Sequence, residues 1–241
     1  MNCVLITGAT SGIGKQLAKD YALSGWQVIA CGRNVSALDN LRQFSPLIET
    51  ISFDITDLVQ TKDMLSKLDK QPNLWILNAG DCEYIDHGVM DAALVKRVMD
   101  INVLGVVNVI EACQHGFKVG DRLALVGSIA SEVALPRAEA YGASKAAVSY
   151  LGRALQLDLG KKGVAVSLIY PGFVKTPLTD KNTFKMPMMV STEEASMSIR
   201  VGLEKGKSHI YFPKRFTLLL RLFGALPYRW QYLISAKKMS N

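Results

Sequence analysis

Cys3-Val4-Leu5-Ile6 is a short, uninterrupted apolar run, followed after a glycine-bearing polar stretch by Leu17, Ala18, Tyr21 and Ala22 at helical spacing. The alternation then repeats along most of the chain. Gln27 to Cys31 reads as a strand, Ser36 to Phe44 as a helix, Ile48 to Phe53 as a strand and Leu58 to Leu68 as a helix. Leu74 to Leu77 makes a fourth strand, Ala92 to Cys113 a long helix, Arg122 to Val126 a fifth strand, and Ala138 to Leu159 a second long helix. Val164 to Ile169 and Ser208 to Phe212 supply the last two strands.

Strands that are apolar on both faces must be covered on both faces, and helices between them return the chain to start the next strand in the same direction. The expected fold is therefore α/β, a three-layer doubly wound Rossmann fold with a mostly or fully parallel seven-stranded sheet. It should occupy residues 1–212, with residues 213–241 as a C-terminal apolar helical extension of the same domain. The least regular stretch, Phe173 to Val190, holds Pro177, Pro187, Met186, Met188 and Met189 and is expected to be a mobile loop.

The extension breaks the alternation. Drawn as a helix, Phe216 to Leu226 is apolar except for a narrow strip of Thr217, Arg221 and Gly224 at i, i+4 and i+7. After Pro227, Tyr228, Arg229, Trp230 and Tyr232 interleave rings with a cation. The segment is too short and interrupted to span a bilayer. It would pack on its own domain or a partner subunit and line the substrate mouth, anchor the protein at a membrane interface through 215–238, or dock a partner protein.

Composition narrows the function. With 241 residues, 49% of them hydrophobic, the chain can bury the core of one domain of this class. The net charge of +7 suits nucleic acid, anionic lipid or a phosphorylated cofactor. The cations form no long run and no nucleic-acid fold signature accompanies them, so nucleic acid is not an expected partner. Cys3, Cys31, Cys82 and Cys113 have no CxxC spacing, and Met1-Asn2 leads straight into a strand, so reduced thiols in a cytoplasmic protein are expected. His87, His115 and His209 are scattered, so no metal is expected.

The chemistry sits at the turns. Gly8, Gly12 and Gly14 follow the first strand, where glycines let the backbone approach a pyrophosphate and a helix N-terminus offers unpaired N–H groups and positive dipole. At the end of the second strand, where a carboxylate would bind a ribose 2′-hydroxyl, the chain has Cys31-Gly32-Arg33-Asn34. An arginine there favours a 2′-phosphate, hence NADP(H) over NAD(H). Tyr141 and Lys145 stand at i and i+4, on one helix face, where a lysine cation would lower the phenol pKa and make it a usable acid and base.

These residues resemble the short-chain dehydrogenase/reductase family, from roughly Cys3 through Phe212. The matching positions are Thr7-Gly8-Ala9-Thr10-Ser11-Gly12-Ile13-Gly14, Asp54, Asn78-Ala79-Gly80, Asn102, Ser128, Tyr141 with Lys145, and Pro171-Gly172. The resemblance implies Asn102, Ser128, Tyr141 and Lys145 as the catalytic set. It implies a cofactor cleft of Gly8, Thr10, Ser11, Gly12, Ile13, Gly14, Arg33, Asp54, Ile55, Asn78, Ala79, Gly80, Tyr141, Lys145, Pro171, Gly172, Val174 and Thr176. In that scheme Asp54 bonds the adenine amino group, Asn102 helps hold a proton-relay water, and Lys145 bonds the nicotinamide ribose. The implied activity interconverts a carbonyl and a secondary alcohol with NADP(H) in a homodimer or homotetramer. The apolar tail and methionine-bearing loop tilt the substrate toward a hydrophobic or lipid-like molecule. A small ketone or sugar-type carbonyl, and a non-enzymatic NADP-binding sensor or scaffold, are the competing readings.

Overall fold

The computed structural model describes residues 2–182, 184 and 186–239. Thr183 and Lys185 of the expected mobile loop, and the side chains of Lys237 and Lys238 in the basic tail, lie outside the described residues. In chain order the elements are β1 (Cys3–Thr7), α1 (Gly12–Leu23), β2 (Gln27–Gly32), α2 (Val35–Phe44), β3 (Ile48–Ser52), α3 (Leu58–Ser66), β4 (Leu74–Leu77) and α4 (Ala92–Met99). They continue with α5 (Gly105–Cys113), β5 (Arg122–Val126), α6 (Glu139–Gly160), β6 (Ala165–Pro171), α7 (Thr192–Glu204), β7 (His209–Phe212), α8 (Lys214–Gly224) and α9 (Tyr228–Met239).

All seven strands run parallel in the order β3-β2-β1-β4-β5-β6-β7. Alternate residues of β1 serve opposite faces, as the pleat requires. Val4 and Ile6 join Leu17, Leu38 and Ile199 on one side, while Cys3 and Leu5 join Val109, Val148 and Leu159 on the other. Because the chain leaves β1 toward β2 on one side and returns to β4 on the other, a crevice opens between their C-terminal ends.

Local sequence starts the helices where they begin. Asn34 caps α2 by accepting from Ala37 N at 3.0 Å, and Asp57 caps α3 through Gln60 N at 2.9 Å. Two features depart from the pattern read along the chain. The stretch Ala92 to Cys113 is not one regular α-helix: Asp100–Leu104 is a π-helical turn, in which Gly105 N reaches back to the Asp100 carbonyl. The apolar pattern does not set α7 apart, yet Ser191 and Glu194 form a reciprocal capping box at its start.

Among the described residues, no helix is long and apolar enough to cross a membrane. The stretch from Phe173 to Val190 is tied at its base, where Val174 and Val190 form an isolated parallel bridge and Lys175 N donates to the Val190 carbonyl at 2.9 Å.

Candidate active site

The crevice at the strand ends encloses about 740 Å³. Its phosphate-facing end is built from the turn between β1 and α1. Thr7 Oγ1 accepts from Asn78 N at 3.0 Å and Ala79 N at 3.1 Å, and Asn78 Nδ2 donates to the carbonyls of Thr7 and Gly8 at 3.2 and 3.3 Å. The turn is thus pinned to the end of β4. Gly8 takes a φ of +65°, and a Cβ on Gly14 would overlap the Gly8 carbonyl oxygen. Only glycine at position 14 lets α1 start this close to the turn.

Ser11, the N-cap of α1, makes no side-chain capping bond, and Ser11, Gly12 and Ile13 line the crevice. An unfilled first turn beside a glycine cradle fits a pyrophosphate, whose oxygens would meet N–H groups and the positive end of the helix. At the other rim Arg33 Nη1 lies 3.4 Å from Asp54 Oδ2, with the arginine side chain 67% exposed. That pair is solvated and contributes little stability, which leaves the guanidinium available to an anionic group.

The opposite end gathers the hydroxyls. Ser128, on the turn after β5, hydrogen-bonds the Tyr141 phenol and accepts from Ala130 N at 3.2 Å. Lys145 Nζ donates to the Val126 carbonyl at 3.0 Å and stands 5.8 Å from the Tyr141 ring centre. Asn102, in the π-helical turn, donates through Nδ2 to the Asp81 carbonyl at 2.8 Å and Ser144 Oγ at 2.9 Å, and accepts from Asp81 N at 2.8 Å. Neutral hydrogen bonds of this kind contribute roughly 1 kcal/mol each, and a buried amide so held has one orientation.

One expectation reverses. Burial pushes the Tyr141 phenol up, and the Ser128 hydrogen bond only partly opposes it. Burial also lowers Lys145 to about 8. The ammonium donates to the Val126 carbonyl and stands 5.8 Å from the centre of the Tyr141 ring, and burial of the phenol outweighs the hydrogen bond from Ser128.

Every residue expected at the cofactor cleft lines this crevice except Gly14, which lies behind the turn, and Ser128 joins them. Asn102 reaches the site through Asp81 and Ser144. Several neighbours were not expected. Tyr84 hydrogen-bonds Cys82 and Asn182 beside Tyr141. Its ring meets Phe184 at 5.7 Å, Phe184 meets Phe173 at 6.1 Å, and Phe173 meets Phe216 of α8 at 5.4 Å, so a chain of aromatic rings runs from Tyr84, beside Tyr141, to Phe216, which lies against Gly172. Tyr84, Phe173 and Phe184 come from loops without periodicity, whereas Phe216 stands on α8. Among the described residues, no group of three or more His, Cys, Asp or Glu is placed to hold a metal.

A family model described as short chain dehydrogenase matches residues 2–186. An uncharacterized oxidoreductase of Myxococcus xanthus is 33% identical over 232 residues, covering 92% of each chain. The NADPH-dependent 1-acyldihydroxyacetone phosphate reductase of Schizosaccharomyces pombe is 32% identical over 225 residues, covering 90% of this chain and 70% of that protein. Among solved structures, a short chain dehydrogenase from Burkholderia cenocepacia in complex with NADP superposes with a TM-score of 0.86 at 24% identity, over 97% of each chain.

Proposed function

Because this chain belongs to the short-chain dehydrogenase family, oxidoreductases that act on CH–OH groups, we propose that it interconverts a carbonyl and a secondary alcohol with NADP(H). The observation that carries the reading is the convergence of Ser128, Tyr141 and Lys145 at one end of a crevice whose other end is a glycine cradle. In reduction, carbonyl, NADPH and a proton give alcohol and NADP⁺. NADPH supplies the hydride when bound, held by the Gly8 to Ile13 turn, Arg33, Asp54, Asn78 to Gly80, and Pro171 to Thr176.

The chain's own groups manage the oxygen and its proton. Charge growing on the carbonyl oxygen meets two hydroxyl donors, Ser128 and Tyr141, fixed before reaction begins. Tyr141, with its pKa raised, holds its proton until that charge develops and then releases it to the oxygen. Lys145 places positive charge behind the phenolate left on Tyr141, and Asn102, clamped by Asp81 and Ser144, orders the route by which a proton returns.

This assignment predicts a pH profile. Lys145 titrates near 8 with its charged form disfavoured, so its charge is lost as pH rises through that value, while Tyr141 stays protonated there. For reduction, kcat/KM should therefore fall above about pH 8. A profile flat to pH 10, roughly the phenol range, would contradict the role given to Lys145.

The arginine predicts the cofactor. Arg33→Ala should weaken NADPH binding about tenfold and leave NADH binding nearly unchanged, since only the former carries a 2′-phosphate for the guanidinium. Equal losses for both cofactors in a fluorescence titration would remove Arg33 from the 2′-phosphate site.

The substrate is hydrophobic or lipid-like on this reading, supported by the rings of Tyr84, Phe184, Phe173 and Phe216 and by the acyl substrate in the S. pombe relative's name. NADPH oxidation across aldehydes, ketones and 3-oxoacyl esters tests the whole proposal. Turnover concentrated on the long-chain members supports it; tight NADPH binding without any turnover would favour a sensor. A homodimer or homotetramer is the proposed assembly, supported by exposed Leu104 beside α5 and by Tyr150 and Leu157 on α6. Residues 215–238 are proposed to contact a membrane peripherally.

A further inference from the structure

Helix α8 turns Thr217 and Gly224 of its polar strip inward. Thr217 is 1% exposed and satisfies its hydroxyl on the Pro213 carbonyl at 3.0 Å. Arg221 lays its guanidinium 4.2 Å from the Tyr211 ring centre, and at Gly224 the helix comes so close to the chain at Glu132 that a Cβ would strike the Glu132 carbonyl oxygen. Of the strip that amphipathicity assigns to water, Thr217 and Gly224 therefore face the domain, while Arg221 stays exposed as it lies over the Tyr211 ring. Leu218, Leu219 and Leu222 point outward at 53, 59 and 60% exposure, joined by Leu226 and, on α9, by Tyr228 and Trp230.

The charge around this apolar face is one-sided. Eight of the 28 Lys and Arg residues, and none of the 21 Asp and Glu residues, lie after Glu204. The first 204 residues thus hold 20 cations against 21 anions, and the basic excess of the whole chain resides in its last 37 residues. Lys214, Arg215 and Arg229 border the leucines and enter no ion pair among the described residues.

We propose that the outer face of α8 and the start of α9 dock on an anionic lipid bilayer, with Leu218, Leu219, Leu222 and Trp230 in the interface and Lys214, Arg215 and Arg229 on the headgroups. Leucines alone would serve a protein partner equally well. A rim of unpaired cations, with no acid in the tail itself to set an orientation against a protein, and an indole beside them select the lipid surface. The inner side of the same helix carries Phe216, which packs on Phe173 and against Gly172 of the crevice lining. Docking therefore sets the mouth of the crevice beside the bilayer, so that a hydrophobic substrate enters from lipid. This last consequence rests on the oxidoreductase reading, whereas the docking does not.

Flotation of the full chain with phosphatidylcholine vesicles, with and without phosphatidylserine, tests the docking without any turnover. The intact protein should float only with the phosphatidylserine vesicles and be released by high salt. Leu218→Asp with Leu222→Asp should weaken partitioning at least roughly tenfold, since two outward apolar side chains leave the interface. Both positions are exposed, and an unchanged thermal melt of the double variant shows that its fold is intact. Protein that stays at the bottom of the gradient with anionic vesicles overturns the proposal. So does a folded double variant that floats like the parent, or a double variant whose only change is a smaller assembly in size exclusion.

Discussion

Tyr141→Phe removes carbonyl reduction by on the order of 10³-fold while NADPH binds as before. The phenol oxygen bonds Ser128 on a ring that the Lys145 ammonium approaches to 5.8 Å from its centre, so its loss deletes the proton donor and one of two oxygen-stabilising hydroxyls together. The ring stays, so the packing around it persists. Steady-state rates beside a fluorescence titration of NADPH separate chemistry from binding. Residual activity within tenfold of the parent would mean that another group, with Ser128 nearest, delivers the proton.

Gly14→Ala unfolds the cofactor turn. The new methyl would overlap the Gly8 carbonyl oxygen and lie 2.6 Å from Asn78 Nδ2, and neither neighbour is free to yield. Gly8 is held at positive φ, and Asn78 Nδ2 donates to the carbonyls of both Thr7 and Gly8. Overpacking against backbone costs about 2 to 3 kcal/mol, which in a domain of this size lowers Tm by roughly 5 to 10 °C. Thermal melting should find that shift together with at least tenfold weaker NADPH binding. A melt within about 2 °C of the parent would show that α1 slides to make room, contrary to the pinning by Asn78.

The three layers and the seven strands were legible because strands buried on both faces leave continuous apolar runs, as in Val4 to Ile6 and Leu74 to Leu77. The residues lining the crevice were legible because turns that approach a phosphate need particular residue types. Other features left no periodic trace. The π-helical turn at Asp100–Leu104 reads as ordinary helix, since one inserted residue scarcely alters the apolar pattern. Ser144 and Asp81, which hold Asn102, come from elements distant in sequence. The direction of the Tyr141 shift is not legible in the spacing, which reports a neighbouring charge and is silent about burial. The facing of α8 was equally hidden, since a polar strip marks two faces without saying which one the domain will cover.

The π-helical turn also solves a packing problem for the rod that contains it. One additional residue in a turn rotates everything downstream by about 100° relative to the phase set upstream. Helix α4 packs on α6, whereas α5, which follows the turn without a break in the chain's helical run, packs on α3. The turn acts as a phase shifter between two neighbours, and Asn102 sits at the shift itself.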